Sequence, residues 1–500
     1  MSIPEADDAP YHIPTISSYV QETGMKNTNA SVRVGLYGIG LDTYWPQFTG
    51  LKDRLNTYLT TVETRLCESG AEVVNLGLID SPERAHTAGE EFRSSQVEAI
   101  FLFISTYALS STVLPVVQRA GVPVIVLNIQ PVAAIDYDHF NSIGDRGAMT
   151  GEWLAHCQAC CVPEIASVLG RAEIDFHLVT GHFQDEETWN EIGDWVRAAH
   201  IRRTMQTSRL GVMGHYYAGM LDVYTDMTVQ SSTFGTHIDL IEIDELAALR
   251  SSVSTEQIKA KIADFHEIFA VSPDCEDAEL ERAARTSVAL DQLVSRHDLG
   301  ALAYYYEGQP GTAHEDIVTS LIAGNTLLTG NNVPVAGECE IKNAQAMKIL
   351  DSIGAGGSFS EFYAMDFNDG IIMLGHDGPA HFAIADGEVG LVPLPVYHGK
   401  PGKGLSIQMS VKRGPVTLLS VGQDRDGVFL LCAEGDCVPG PVLDIGNTNS
   451  RYRFSLDPKE FINRWSGAGP SHHCAIGVGH VASVLDKFAA LKGIRCLKVC

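Results

Sequence analysis

The stretch VRVGLYGIGLDTYWPQFTGLKDRLNTYLTTVETRLCESGAEVVNLGLI, residues 32–79, decides the fold class. Val32–Ile39 and Glu72–Leu78 are nearly continuous apolar runs, the pattern of parallel strands buried on both faces. Between them, LKDRLNTYLTTVETRLCESG spaces its leucines as a helix and closes on Gly70, where a C-cap glycine belongs. Strand, helix and strand in this order predict a βαβ unit. The pattern continues outward: further apolar runs occur at Ala99–Ser105, Pro123–Ile129 and Phe176–Thr180. A doubly wound α/β domain over residues 1–200 follows.

A second, shorter α/β set begins at Arg209–Tyr216 and continues through DLIEIDE and ALAYYY. EQIKAKIADFHEIF and DAELERAARTSVALDQLVSRH lie between them as amphipathic helices with charged outer faces. This set occupies residues 201–335. Past residue 390 the alternation stops. GLSIQMSVKRGPVTLLSVGQDRDGVFLLCAEG, residues 404–435, reads as three strands joined by Arg-Gly-Pro and Asp-Arg-Asp-Gly turns, hence antiparallel hairpins. The expected architecture is two doubly wound Rossmann-like α/β domains followed by a β-rich C-terminal domain over residues 336–500. No internal repeat or low-complexity stretch interrupts it.

The chain has 500 residues, with 62 acidic against 35 basic side chains and a formal charge of −27. A surface this negative repels phosphate backbones and anionic lipid, so no nucleic-acid or membrane partner is expected. Most of the charge belongs on solvated helix faces. The opening MSIPEADDAPYHIPTISSYVQETG lacks a basic region followed by an apolar core, so it is not expected to be a secretory signal. No apolar run reaches the roughly 18 residues of a membrane helix. The 11 cysteines, several in apolar runs such as those of Cys432 and Cys496, fit buried thiols and a cytoplasmic location. Cys157, Cys160 and Cys161, beside His156, have no second ligand pair at zinc spacing. A cysteine-bearing helix facing a core explains them better than a metal or redox role.

Gly35, Gly38 and Gly40 in GLYGIG invite a dinucleotide reading, but the spacing is not G-x-G-x-x-G. Asp42, Tyr44, Trp45 and Pro46 follow where a small-residue helix start would be needed, and a sharp turn at a sheet edge is preferred. Neither a Walker A sequence nor a G-x-S-x-G elbow occurs. The last third is richer in chemistry. Glu338 lies between a turn and a helix-like run, Glu361 follows Gly356 and Gly357, and His376 ends an apolar run. His472 and His473 precede another such run. Singly, each has an ordinary explanation as a solvated carboxylate or a hydrogen-bonded imidazole. Jointly, two carboxylates and two imidazoles suit a divalent first-row ion. His215, Tyr216, Tyr217 and the run Tyr304–Glu307 are further pocket candidates, although alternation along a strand would bury one of Tyr304 and Tyr305 in the core.

Four boxes in order carry a resemblance: GE-x-x-x-K at Gly337–Lys342, F-x-E at Phe359–Glu361, L-G-x-H-type at Leu374–His376 and G-x-x-HH at Gly469–His473. With them the chain resembles the L-arabinose/L-fucose isomerase family, arabinose isomerases in particular. The resemblance implies that Glu338, Glu361, His376 and His473 hold a metal ion, and that Glu338 and Glu361 also form the catalytic acid/base pair. It implies Mn²⁺ as cofactor, with Co²⁺ or Mg²⁺ as other divalent choices. Substrate contacts would come from His472 and from Gln130 in LNIQPV, which would reach a neighbouring subunit's site. An exposed polar residue ending a strand explains Gln130 equally well. Glu307 joins them from its place at the carboxyl end of its strand. The partners implied are a small-molecule sugar and further copies of the chain, as a homo-oligomer with hexamers among the family's assemblies.

The sequence departs from the family pattern in three places. Glu361 and His376 are 15 residues apart, a slightly short step, and Cys339-Glu340-Ile341 replaces the usual glycine, acid and tryptophan. FYAMDF lacks the expected histidine. These changes touch pocket walls more than ligands. The expected function is a metal-dependent aldose–ketose isomerase with L-arabinose and L-ribulose as the default pair. A non-catalytic sugar-binding protein and a metal-assisted sugar epimerase are the alternatives.

Overall fold

A computed structural model describes residues 31–500 except 398–399; the opening MSIPEADDAPYHIPTISSYVQETG lies outside the described residues. The first unit is a five-stranded parallel sheet in the order β2-β1-β3-β4-β5. Its strands are β1 (Val32–Ile39), β2 (Ala71–Ile79), β3 (Ile100–Phe103), β4 (Val124–Gln130) and β5 (Phe176–His182). The helix Leu51–Glu68 buries Leu51, Leu55, Leu59, Val62 and Leu66, and Gly70 just past its end takes φ 92°. This helix and Glu186–Thr207 cover one face of the sheet, meeting Val34, Leu36 and Phe101. Pro82–Ser94, Leu114–Ala120 and Val162–Arg171 cover the other, against Tyr37 and Ile39. With helices on both faces, the sheet is doubly wound as expected.

The glycines of GLYGIG have a packing role rather than the expected turn role. Gly35 and Gly38 lie within β1, and only Gly40 follows it. A Cβ on Gly35 would sit 2.7 Å from the Phe92 ring, and one on Gly38 would sit 2.7 Å from Leu78. Close approach of the Pro82–Ser94 helix at Gly35 and of β2 at Gly38 therefore excludes side chains here. Gly35→Ala should cost about 1–3 kcal/mol by overpacking, read as a lowered urea midpoint at unchanged slope.

The second unit is a four-stranded parallel sheet, β10-β9-β6-β7. It comprises β6 (Arg209–Gly214), β7 (His237–Ile241), β9 (Ala301–Tyr305) and β10 (Val335–Ala336). A two-residue strand, β8 (Ala270–Val271), lies between β7 and β9 in the chain. The helix Glu186–Thr207 runs across residue 200 and packs on both parallel sheets, through Trp189 and Ile192 on the first and Ile201 and Met205 on the second. β10 likewise spans residues 335 and 336.

The carboxyl-terminal unit is built on an antiparallel barrel. Its strands are β11 (Gly356–Asp366), β12 (Ile371–His376), β17 (Gly414–Asp424), β18 (Gly427–Cys437), β19 (Thr448–Phe454) and β20 (His473–Val478). They pair in the order β17-β20-β11-β12-β19-β18, and β18 closes back on β17. β21 (Arg495–Lys498) adds in parallel to β18. The Asp-Arg-Asp-Gly turn makes the expected hairpin between β17 and β18.

The Arg-Gly-Pro stretch does not make a hairpin. The run before it, β16 (Leu405–Gln408), pairs with β13 (Gly390–Pro393), which in turn pairs with β8. A separate ribbon joins β14 (Val396–Tyr397) to β15 (Lys400–Pro401). Strand runs are local in sequence, but the choice of partner is set by long-range packing.

The helix Ile341–Ser352 buries every residue from Ile341 to Asp351. It lies against β9 on one side and β11, β17 and β20 on the other. This helix fixes the second sheet against the barrel, and its amino end sets the site described next.

Candidate active site

The carboxyl ends of β6, β9 and β10 face the barrel, the edge at which open parallel sheets place ligands. After β10 the chain turns through Gly337, Glu338, Cys339 and Glu340 into the buried helix. Glu338 and Cys339 have φ of 58° and 59°. Two successive non-glycine residues in the left-handed region cost on the order of 1–3 kcal/mol each and persist only where the surroundings impose them. Here the Cys339 N–H donates to the Tyr304 carbonyl at 2.9 Å, and Glu340 N–H donates to Gly337 at 3.0 Å. The Tyr217 N–H donates to the Glu338 carbonyl at 3.3 Å. The turn buries Cys339, whose thiol burial pushes up to about 12, while Glu338 is directed to the barrel.

The barrel supplies the opposing groups from three adjacent strands. Glu361 on β11 lies directly across from His473 on β20 and from Gly375 on β12, with His376 next along β12. Phe359 packs between the imidazoles, 4.4 Å from the rings of both His376 and His473. His473 is buried, and its Nδ1 hydrogen-bonds the buried Glu340 carboxylate at 2.5 Å. Its Nε2 then faces Glu338 Oε2 at 3.3 Å. Neither of these two buried atoms has a hydrogen-bond partner. Buried polar atoms are almost always satisfied. A carboxylate oxygen and an imidazole nitrogen left open side by side suit a divalent cation, and the Glu340 carboxylate behind the imidazole orients it as outer partners of metal ligands do.

His472 completes the group. Its Nε2 lies 3.5 Å from Glu338 Oε2 and its Nδ1 2.6 Å from Asp222 Oδ2. Partial burial opposes its charged form, but the carboxylates of Glu338 and Asp222 outweigh this and raise its pKa to about 9. Glu338, His472 and His473 offer three ligand atoms within 4.8 Å of one another. Glu338, Glu361, His376 and His472 all line one cavity of about 530 Å³, within the roughly 300–1,000 Å³ typical of small-molecule sites. Tyr217, Tyr304 and Tyr305 form an aromatic wall, and among the described residues no lysine or arginine lines it.

The structure therefore brings Glu338, Glu361, His376, His472 and His473 to one place. Two other expected contacts lie elsewhere. Gln130 ends β4 in the first sheet and does not line the cavity of its own chain. Glu307 is exposed and outside the lining, accepting a hydrogen bond from the Tyr305 hydroxyl at 2.9 Å. Tyr304 and Tyr305 are both buried and both line the cavity, because β9 ends there and its last residues meet packing on both sides. His215 is exposed beside Tyr305.

The cysteine cluster also differs from expectation. The helix ends at Leu154, and Cys157 pairs with Cys160 in a disulfide across the following turn, with Cα atoms 5.8 Å apart. Cys161 beside them is a free, buried thiol, and all the other cysteines are free too.

Glu340 and Asp222 were not foreseen. Glu340 was visible as the second acid of Glu-Cys-Glu, yet only the left-handed turn aims it at His473. Asp222 carries no local signal, being 250 residues from its partner.

No family model matches the chain. It is similar to an L-arabinose isomerase of Shouchella clausii, 21% identical over 67% of this chain and 69% of that protein. An L-arabinose isomerase of Bifidobacterium adolescentis is 22% identical over 66% and 68%, respectively. A sulfoquinovose isomerase of Alkalicoccus urumqiensis is 22% identical over 71% and 76%.

Proposed function

Because the chain is arabinose isomerase-like in sequence, we propose that it interconverts an aldose and its ketose, with L-arabinose and L-ribulose as the default pair and a divalent cation as cofactor. The observation that carries this reading is the open pair of buried atoms, Glu338 Oε2 and His473 Nε2, in a cavity also lined by Glu361 and His376. Glu338, Glu361, His376 and His473 would hold the ion, with Mn²⁺ favoured over Zn²⁺ by the share of carboxylate ligands. When bound, it supplies positive charge that stabilises negative charge developing on sugar oxygens.

The chain's own residues account for the rest. Isomerisation moves one proton from C2 to C1 and one from the C2 hydroxyl to the C1 oxygen. One of Glu338 and Glu361 takes the carbon-bound proton and returns it to C1, while the other moves the hydroxyl proton. General acid–base transfer of this kind is worth about 10²–10⁴-fold. His472 presents its Nε2 edge to a sugar hydroxyl, and the tyrosine wall offers flat apolar area to the sugar's carbon faces. Among the described residues no lysine or arginine lines the cavity, and an uncharged aldose is the expected substrate. A homo-oligomer in which Gln130 meets the cavity of a neighbouring copy belongs to the same proposal, and light scattering of the purified protein checks its size.

Incubation with a panel of pentoses and hexoses, with and without Mn²⁺, tests the reading by ketose assay. Metal-dependent ketose formation, greatest from an uncharged aldose, is expected. Sugar binding without ketose would make the protein a sensor, and recovery of a C2-inverted aldose would make it an epimerase.

A further inference from the structure

Asp222 lies in a short turn, Leu221–Val223, in the connection between β6 and the helix Met227–Phe234. His472 immediately precedes β20 in the barrel. A single oxygen, Asp222 Oδ2, takes the His472 backbone N–H at 2.9 Å and its ring Nδ1 at 2.6 Å. Two bonds to one atom fix both where the residue stands and how its ring is turned. The ring meets that of His473 at a centroid distance of 3.8 Å. Its side chain nonetheless keeps 36% of its area in solvent, so enclosure alone does not set its rotation.

The turn is itself anchored, and through its backbone. The Asp222 carbonyl accepts from the buried Lys342 ammonium at 2.6 Å and from the Ser471 hydroxyl at 3.3 Å. Neither bond involves the carboxylate. The turn can thus keep its place when the side chain is changed, which separates the carboxylate's role from the loop's.

We propose that Asp222 is a positioning residue, holding the His472 ring so that Nε2 faces Glu338 and the cavity. This rests on the isomerase reading above and extends it to a residue of the parallel-sheet unit acting on the barrel side of the site. Asp222 touches neither the sugar nor the ion; it acts through His472.

Three proteins test it: the parent, Asp222→Ala and Asp222→Asn. Asparagine keeps an acceptor oxygen in place and alanine removes it. Loss of an orienting partner typically costs about 10–100-fold, so Asp222→Ala should lose kcat by that factor and also raise KM, because the misoriented His472 contacts the sugar. Asp222→Asn should recover most of the loss, and thermal midpoints should agree among all three. Independently of turnover, proton–nitrogen spectra of the metal-free proteins should show a protected His472 Nδ1–H in the parent and Asp222→Asn. It should exchange away in Asp222→Ala, with assignment by its absence in His472→Gln. Parental kcat in Asp222→Ala, or a protected Nδ1–H there, overturns the proposal. If the parent makes ketose from no sugar, the isomerase reading fails, while the spectra still decide whether Asp222 holds His472.

Discussion

Glu338→Gln should leave a folded protein without measurable turnover. Glutamine has the same length and branching, so the left-handed turn held by Tyr304 and Tyr217 is preserved. The amide, however, cannot take a carbon-bound proton and is a poor ligand for a hard cation. Loss of proton transfer alone predicts a fall in kcat of about 10²–10⁴-fold, and weakened ion binding adds to it. Glu361→Gln should behave in the same way from the other wall of the cavity. Thermal unfolding by circular dichroism and ketose assay under saturating Mn²⁺ check both variants together. Turnover at the parental rate in either would remove that carboxylate from the chemistry.

The second large effect is expected at Glu340, which never faces the cavity. Its carboxylate is the partner of His473 Nδ1, and both side chains are almost wholly enclosed. Breaking a buried pair by removing one member typically costs about 3–5 kcal/mol. Glu340→Ala should therefore lower stability by that order, read from urea denaturation. The residue also stands at the N-cap of Ile341–Ser352, but its side chain makes no capping hydrogen bond, so the loss falls on the His473 contact. Freed at Nδ1, His473 can turn its Nε2 away from Glu338. Mn²⁺ affinity of the folded fraction, followed by electron paramagnetic resonance, should weaken about 10–100-fold. Glu340→Gln, whose amide oxygen still accepts from Nδ1–H, should show the smaller loss in both measurements. Unchanged stability and unchanged Mn²⁺ binding in Glu340→Ala would show that His473 needs no orienting carboxylate.

What the sequence revealed followed from locality. The first-sheet strands were legible to within about three residues because strands covered on both faces become apolar runs wherever they fall. The helix after β1 was legible from its leucine spacing and from Gly70. Pairing was not: Leu405–Gln408 looks like the first strand of a meander, and only the folded chain shows that β13 is its partner. The site divides along the same line. Glu338, Glu361, His376, His472 and His473 stood out together, through their joint setting and the family resemblance of their boxes, and not singly. The arrangement behind them did not, because no glycine marks the left-handed pair Glu338–Cys339 and Asp222 is remote from His472 in the chain. Gln130 was placed by the family resemblance of LNIQPV, as a contact to a neighbouring subunit, and Glu307 by the carboxyl end of its strand. A strand end shows which sheet edge a residue occupies, not whether its side chain reaches a cavity formed with another unit.

Metal dependence is tested most directly by stripping the protein with a chelator and restoring Mn²⁺ in steps, while measuring bound metal and ketose formation from L-arabinose on the same samples. Activity should fall with the metal and return in proportion to it, saturating near one ion per chain. No such return should occur in Glu338→Gln. Full turnover by protein free of metal, or parental activity restored in Glu338→Gln, would contradict this expectation.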